Sequence, residues 1–195
     1  MDFGFSPEQE ALRDLARSIC QDHATHDRLK AIERDPDGID RELWRALAQA
    51  NLLGVALPEA VGGSGLGLTE LCLLLEQVGA AVAPVPVWAA LVLGELPVAE
   101  FGTAAQRTRW LPRAASGDLI LTAALVELPG EEPVLPETRA VRDGSGWRLD
   151  GVKDCVPAAH LAAAVLVPAR TGDGQVGVFV VEPSAPGVKI GRAHV

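Results

Sequence analysis

Several things are scarce in this chain of 195 residues, and each scarcity excludes something. Positive charge is outnumbered: 17 Lys and Arg face 26 Asp and Glu, a formal net charge of -9. A phosphate backbone would be repelled, which argues against non-specific nucleic-acid binding, although a local basic patch could still hold one phosphorylated ligand. Cysteine is limited to Cys20, Cys72 and Cys155, with no C-x-x-C pair. An odd, unpaired set predicts free thiols in a reducing compartment, and no zinc signature accompanies it. His23 and His26 share an i, i+3 spacing on an expected helix, but no further ligand cluster joins them; a solvated helix end is the preferred reading. Long apolar runs are missing, because Pro84, Pro86, Gly94 and Pro97 break the best candidates for crossing a bilayer. The opening MDFGFSPEQE is acidic and lacks the basic-then-apolar order of a secretory signal. The chain is therefore expected to be cytoplasmic, without a membrane partner. Internal repeats and low-complexity tracts are absent as well.

What is present is an ordinary globular balance, 48% hydrophobic and 22% charged, on enough residues for one or two cored domains. Up to about Asp118 the pattern is helical. Ser6 can cap, Pro7 suits a first turn, and Gln9 can reach back as in a capping box. Leu12, Leu15, Ala16 and Ile19 then predict one apolar face. A second helix is predicted from Asp40 to near Asn51, burying Leu43, Trp44 and Leu47. An extended segment and Gly62, Gly63, Gly65 and Gly67 precede a helix expected to be capped by Thr69, with Leu71, Leu74, Leu75 and Val78 as its stripe. The glycines lack the Walker Lys-Ser/Thr and the G-x-G-x-x-G spacing, so a tight structural turn is preferred over phosphate binding. Pro84, Pro86 and Pro97 divide the next stretch into short helices. Thr103 and Gln106 form another capping box, opening a helix expected to end at Pro112 and Gly117.

After Asp118 the period becomes two, or the runs become continuously apolar. LILTAALVEL reads as a buried strand, TRAVR alternates, and Asp143-Gly144-Ser145-Gly146 predicts a hairpin returning through Trp147 to Lys153. LAAAVLV and VGVFVVE, joined by a turn at Thr171-Gly172-Asp173-Gly174, complete the set. The fold class is α+β: an all-α domain over 1–118, then an antiparallel β-barrel-like domain over 119–195. Trp44, Trp88, Trp110 and Trp147 read as core or domain-contact aromatics, Cys155 as inert packing, and His160 as a packed or capped residue. Glu127 is the one charge in LTAALVELPG and sits where the backbone must turn. Its preferred reading is structural, a carboxylate at a strand terminus.

Three stretches in order resemble the acyl-CoA dehydrogenases: ALAQANLLGVALPEAVGGSGLGLTEL, FGTAAQRTRWLPRAASGDLILTAAL and GSGWRLDGVKDCVPAAHLAAAVLVPAR. The resemblance implies a helical domain, a middle β-barrel and a C-terminal helical domain that this chain does not include. It implies FAD between the barrel and the C-terminal helices, partly across a subunit interface. It also implies α,β-dehydrogenation of an acyl-CoA thioester, with electrons passed to an electron-transferring flavoprotein. The family's catalytic glutamate belongs to the C-terminal domain, so no catalytic residue is expected here. The flavin-edge motif A-L/M-T-E-P-x-A-G-S-D corresponds to Ala124, Leu125, Val126, Glu127, Leu128, Pro129, Gly130, Glu131, Glu132 and Pro133. The second motif, K-x-W-I-T-N, corresponds to Lys153, Asp154, Cys155, Val156, Pro157 and Ala158. Implied cofactor-binding residues are Ala123, Leu125, Val126, Glu127, Cys155, Val156 and Pro157. Val126 stands where the family has threonine, Cys155 where it has tryptophan, and Pro157, without N–H or hydroxyl, where a threonine bonds flavin N5. Glu131 and Glu132 place carboxylates where phosphate would approach. Main-chain contacts from Leu125, Val126 and Val156 do not depend on those side chains.

Three functional expectations follow. One is an FAD-dependent acyl-CoA dehydrogenase fragment, homo- or hetero-oligomeric when whole. A second is a non-catalytic or half-site subunit of a heteromeric enzyme; an unrelated interaction module is a weaker third. The closing IGRAHV matches a translated frame of a sequencing adapter, so residues 190–195 are expected to be a non-native tail.

Overall fold

The computed structural model describes residues 4–128, 130, 134–172 and 174–191, and the chain divides into two compact units, Met1–Leu119 and Ile120–Val195. None of the described helices is long and apolar enough to cross a membrane.

The first unit is helical. α1 (Pro7–His23) starts at Ser6, whose hydroxyl accepts the Gln9 N–H at 3.2 Å while Gln9 Oε1 accepts the Ser6 N–H at 3.0 Å. Ala16 and Cys20 are buried on α1, but Leu15, expected on the same face, is exposed. α2 (His26–Glu33) buries no residue and was not evident as a separate helix. His23 ends α1 and His26 begins α2, so the two histidines do not share a helix. Among the described residues no group of three His, Cys, Asp or Glu is placed to hold a metal.

α2 is fastened by charge. Arg28 donates to both carboxylate oxygens of Asp40, with Nη2 2.7 Å from Oδ1. Asp40 is fully buried and also caps α3 (Arg41–Gln49), accepting the N–H groups of Glu42 and Leu43 at 3.0 and 2.9 Å. Leu43, Trp44 and Leu47 go into the core as their spacing predicts. Residues 55–57 form turns and a bend instead of an extended segment, and Pro58 leads into a 3-10 turn, Glu59–Val61. Gly63 lies so close to this stretch that a Cβ would stand 2.1 Å from the Leu57 carbonyl oxygen, a contact only glycine permits.

α4 (Leu68–Ala80) is capped at Gly67, whose N–H donates to Glu70 Oε2 at 2.9 Å; Thr69 is inside the first turn and is not the cap. It packs along α1, with Gln9 Nε2 to Glu70 Oε1 at 2.8 Å and Arg17 Nε to Gln77 Oε1 at 3.1 Å. A π-helical segment, Trp88–Glu95, runs directly into α5 (Leu96–Phe101). α6 (Ala104–Ala115) opens with the predicted Thr103–Gln106 box. It continues through Pro112 to Ala115, because burial of Leu111, Ala114 and Ala115 outweighs the hydrogen bond proline forfeits. Trp44 and Trp110 are buried, whereas Trp88 is 53% exposed and Trp147 lies partly open.

The second unit is a five-stranded sheet of β1 (Leu121–Ala123), β2 (Arg139–Asp143), β3 (Gly146–Asp150), β4 (Ala164–Arg170) and β5 (Val176–Val181). The helices-then-strands arrangement holds, but the sheet is not purely antiparallel. β2 pairs β3 and β4 pairs β5 antiparallel, as their short turns require. β1 pairs β4 parallel, Leu121 opposite Ala164, and β2 meets β4 parallel at Arg139 and Arg170. The reason is the connection: β1 reaches β4 only after the β2–β3 hairpin, a return long enough to restore direction. β4 is buried at most of its positions, and Trp147 of β3 meets Phe179 of β5 edge-on at 5.2 Å. β1 is far shorter than the predicted ten-residue strand, and β3 ends at Asp150, short of Lys153. Pro129, Glu131, Glu132 and Pro133, the turn residue Asp173 and the end of the expected tail, 192–195, lie outside the described residues.

Candidate functional site

Two stretches of the second unit run side by side: 122–128, which begins within β1 and continues past it, and 153–157 after β3. They are tied at both ends. At one end the Thr122 hydroxyl donates to the Pro157 carbonyl at 2.8 Å. At the other, the Asp154 N–H donates to the Val126 carbonyl at 2.9 Å, and Asp154 Oδ2 accepts the Leu128 N–H at 3.0 Å. Between the ties the backbone is not consumed. Ala124 spends its N–H on the Leu166 carbonyl at 2.9 Å. Leu125, Cys155 and Val156 make no hydrogen bond among the described residues. Leu125 and Val156 are half-buried and Cys155 is exposed, so these three residues are not sealed in the core.

The bend itself is wound left-handed at two non-glycine positions, Cys155 with φ 49° and Ala158 with φ 54°. Such residues are uncommon and cost of order 1 kcal/mol each. The Cys155 side chain is not the packed group the sequence suggested; it faces solvent. Pro157 has no N–H to donate, and its carbonyl accepts the Thr122 hydroxyl. Ala123 is buried in β1 opposite Leu166. Thr122 is buried too, and sequence reasoning gave it no part; its fully apolar surroundings in ILTAAL carried no signal that its hydroxyl would tie the bend.

Glu127 turns inward. Lys153 Nζ lies 2.6 Å from its Oε1, the Thr138 hydroxyl donates to the same oxygen at 2.5 Å, and the Thr138 N–H is 3.1 Å from it. The Glu137 N–H donates to Oε2. Burial by itself would push this carboxyl up. The Lys153 ammonium, the Thr138 hydroxyl and the two N–H groups outweigh it and hold the carboxyl at about 2. Glu127 is thus ionised and saturated with donors, and it cannot double as a base toward a bound molecule. Lys153 and Thr138 are the partners the sequence did not reveal. Lys153 was visible two residues from Cys155, but nothing linked it to a carboxylate 26 positions earlier.

The fold and this frame can be set beside known proteins. The family model for the acyl-CoA dehydrogenase N-terminal domain matches residues 6–118. The chain belongs to the acyl-CoA dehydrogenase family. Its second unit follows the same relatives, since the curated acyl-CoA dehydrogenases it resembles align over nearly all of it, at 36% identity over 190 residues in one mycobacterial case. The chain spans about half the length of those relatives. Among solved acyl-CoA dehydrogenases, the "Tcur3481-Tcur3483 steroid ACAD" variant is 52% identical with a TM-score of 0.88, covering 92% of this chain and 49% of that one. The ChsE4–ChsE5 complex from Mycobacterium tuberculosis is 35% identical with a TM-score of 0.89, covering 96% and 50%. A glutaryl-CoA dehydrogenase from Mycobacterium smegmatis in complex with FADH2 is 26% identical with a TM-score of 0.87, covering 97% and 49%.

Proposed function

We propose that the whole protein removes two hydrogens from the Cα–Cβ bond of an acyl-CoA thioester, using FAD, and passes electrons to an electron-transferring flavoprotein. The observation that carries the cofactor is the frame: two segments tied at both ends with unspent main-chain groups at Leu125, Cys155 and Val156 between the ties. That arrangement fits the edge of a planar heteroaromatic ring, which needs donors and acceptors in one line and little side-chain chemistry. Leu125, Val126, Cys155 and Val156 would hold the ring edge through main chain. Glu127 and Pro157 would shape the frame from behind, and Ala123 would anchor it in the sheet. FAD, when bound, supplies the hydride acceptor. The chain's own residues orient it and keep the strand-end side closed. The α-proton needs a base on the far face of the substrate, and Glu127 is excluded because its charge is already shared among four donors. The relative solved as a steroid acyl-CoA dehydrogenase, 52% identical, supports a bulky acyl group as substrate.

A second reading has specific support. Cys155 stands where the resemblance has a tryptophan and Pro157, with neither N–H nor hydroxyl, where it has a threonine, so side-chain contacts to a ring would be reduced at both positions. Two of the similar structures are named as pairs of different proteins. On this reading the chain belongs to a subunit that contributes part of a shared site and binds FAD only beside its partner. Expressing the full-length gene alone and together with an adjacent homologous gene distinguishes the two. Flavin absorbance in the purified single protein supports the self-sufficient enzyme. Absorbance only after co-expression supports the half-site subunit. A colourless product in both cases refutes the FAD reading.

A further inference from the structure

We propose that Lys153 and Thr138, acting through the Glu127 carboxylate, are positioning residues for the flavin, and that Gly151 makes their approach possible. This rests on the flavin reading of the frame. The Lys153 and Glu127 side chains are only 9% and 10% exposed. A buried ion pair is retained at little cost only when the surplus valences of the carboxylate are also met. Here they are met from two places in the chain: Lys153 from the bend, and Glu137 and Thr138 from the segment entering β2. Among the described residues Lys153 Nζ has no partner except Glu127. The ammonium is therefore fixed by that carboxylate alone.

Gly151 supplies an independent observation. A Cβ there would stand 2.4 Å from Thr138 Oγ1 and 2.8 Å from Thr138 Cα. Any side chain would push Thr138 off the carboxylate. The chain after β3 thus passes tight against Thr138, and two residues later it delivers Lys153. The braced atoms are close in sequence to the unspent ones: Glu127 is two residues from Leu125, and Lys153 is two from Cys155 and three from Val156. The Val126–Asp154 pair lies directly between brace and frame. A displaced carboxylate therefore moves both walls of the frame at once. Precise main-chain placement is what a site without side-chain contacts depends on.

The test uses the full-length protein, co-purified with its partner subunit where that is needed for flavin. The variants are Glu127→Gln, Lys153→Met, Thr138→Val and Thr138→Ser, with Val178→Ala on β5 as control. FAD affinity is read from quenching of flavin fluorescence, and ring environment from the visible absorbance band. Amide exchange of 124–128 and 153–157 is followed in the FAD-depleted protein. Lys153→Met and Glu127→Gln are expected to weaken FAD by about ten-fold or more and to shift the band. Thr138→Val does so less, while Thr138→Ser, which keeps the hydroxyl donor, stays within about two-fold of wild type. Exchange rises in both segments in the first three variants and not in the control. If Glu127→Gln does not fold, Lys153→Met and Thr138→Val carry the measurement. Folded variants that hold FAD as tightly as wild type, with an unshifted band, overturn this proposal while leaving the flavin reading intact. A wild-type protein that takes up no FAD in any subunit combination overturns both.

Discussion

Glu127 and Glu95 are both buried carboxylates, and their surroundings move them in opposite directions. Glu127, at about 2, lies below the unfolded value of 4.5. The stability it confers is complete above pH 4.5 and drains away as the pH falls toward 2. Glu95 has no hydrogen-bond partner on either oxygen among the described residues, and burial pushes it up to about 8. Between pH 4.5 and 8 the folded chain keeps this proton and the unfolded chain releases it. Stability therefore falls with rising pH across that window, by about 1.4 kcal/mol per unit. Glu95→Gln removes the titration while keeping the shape. It is expected to change the urea midpoint little at pH 5 and to raise stability at pH 8 by on the order of 3 kcal/mol over wild type. Equal shifts at the two pH values would show that Glu95 does not titrate as described. Neither environment was legible in sequence. LVLGELP and TAALVELP each present one glutamate in an apolar run, and only the fold decides that one meets four donors and the other none.

Legibility improves at the scale of the element, where local chemistry rules. The Ser6 and Thr103 boxes and the Asp143–Gly146 hairpin form as their sequences imply, because each is settled within four residues. Thr103→Ala should cost about 1 kcal/mol, read as a lower thermal midpoint, with the loss confined to the helical unit. A Thr103→Ser variant should recover most of it. What failed was decided from farther away. α2 offers only Leu29 and Ile32 at helical spacing, both half-buried, and is fastened by the Arg28–Asp40 pair, so periodicity gave too short a stripe to find it. Pro112 reads as a stop but is overruled by the burial around it. One miss was local: Gly67 displaces Thr69 as cap because Glu70 reaches back to its N–H, and a glycine has no side-chain acceptor to announce it. Nothing in WAALVLGE distinguishes a π-helix from an α-helix. The two motif segments were legible in sequence, but their pairing was not, nor were the contacts of Thr122 and Lys153, since both span more than 25 residues.

For the whole molecule, the balance of covered and uncovered apolar surface is uneven. Phe101 is 84% exposed, and Val82, Val152, Val134 and Leu68 are largely open. β3 and β5 each pair on one side only among the described strands, leaving unpaired edges. The chain of 195 residues made alone is expected to self-associate at micromolar concentration, checked by sedimentation velocity; a single monomeric boundary would contradict this. Placing β4 at the hub also fixes an order of events during synthesis. Leu121 of β1 pairs with Ala164, 43 positions later. At ribosomal speeds that is a wait of roughly 2 to 9 seconds, during which the β2–β3 hairpin can close and β1 cannot. A nascent chain must carry its first strand, with Leu121 and Ala123 uncovered, until the strand that shelters them has left the exit tunnel.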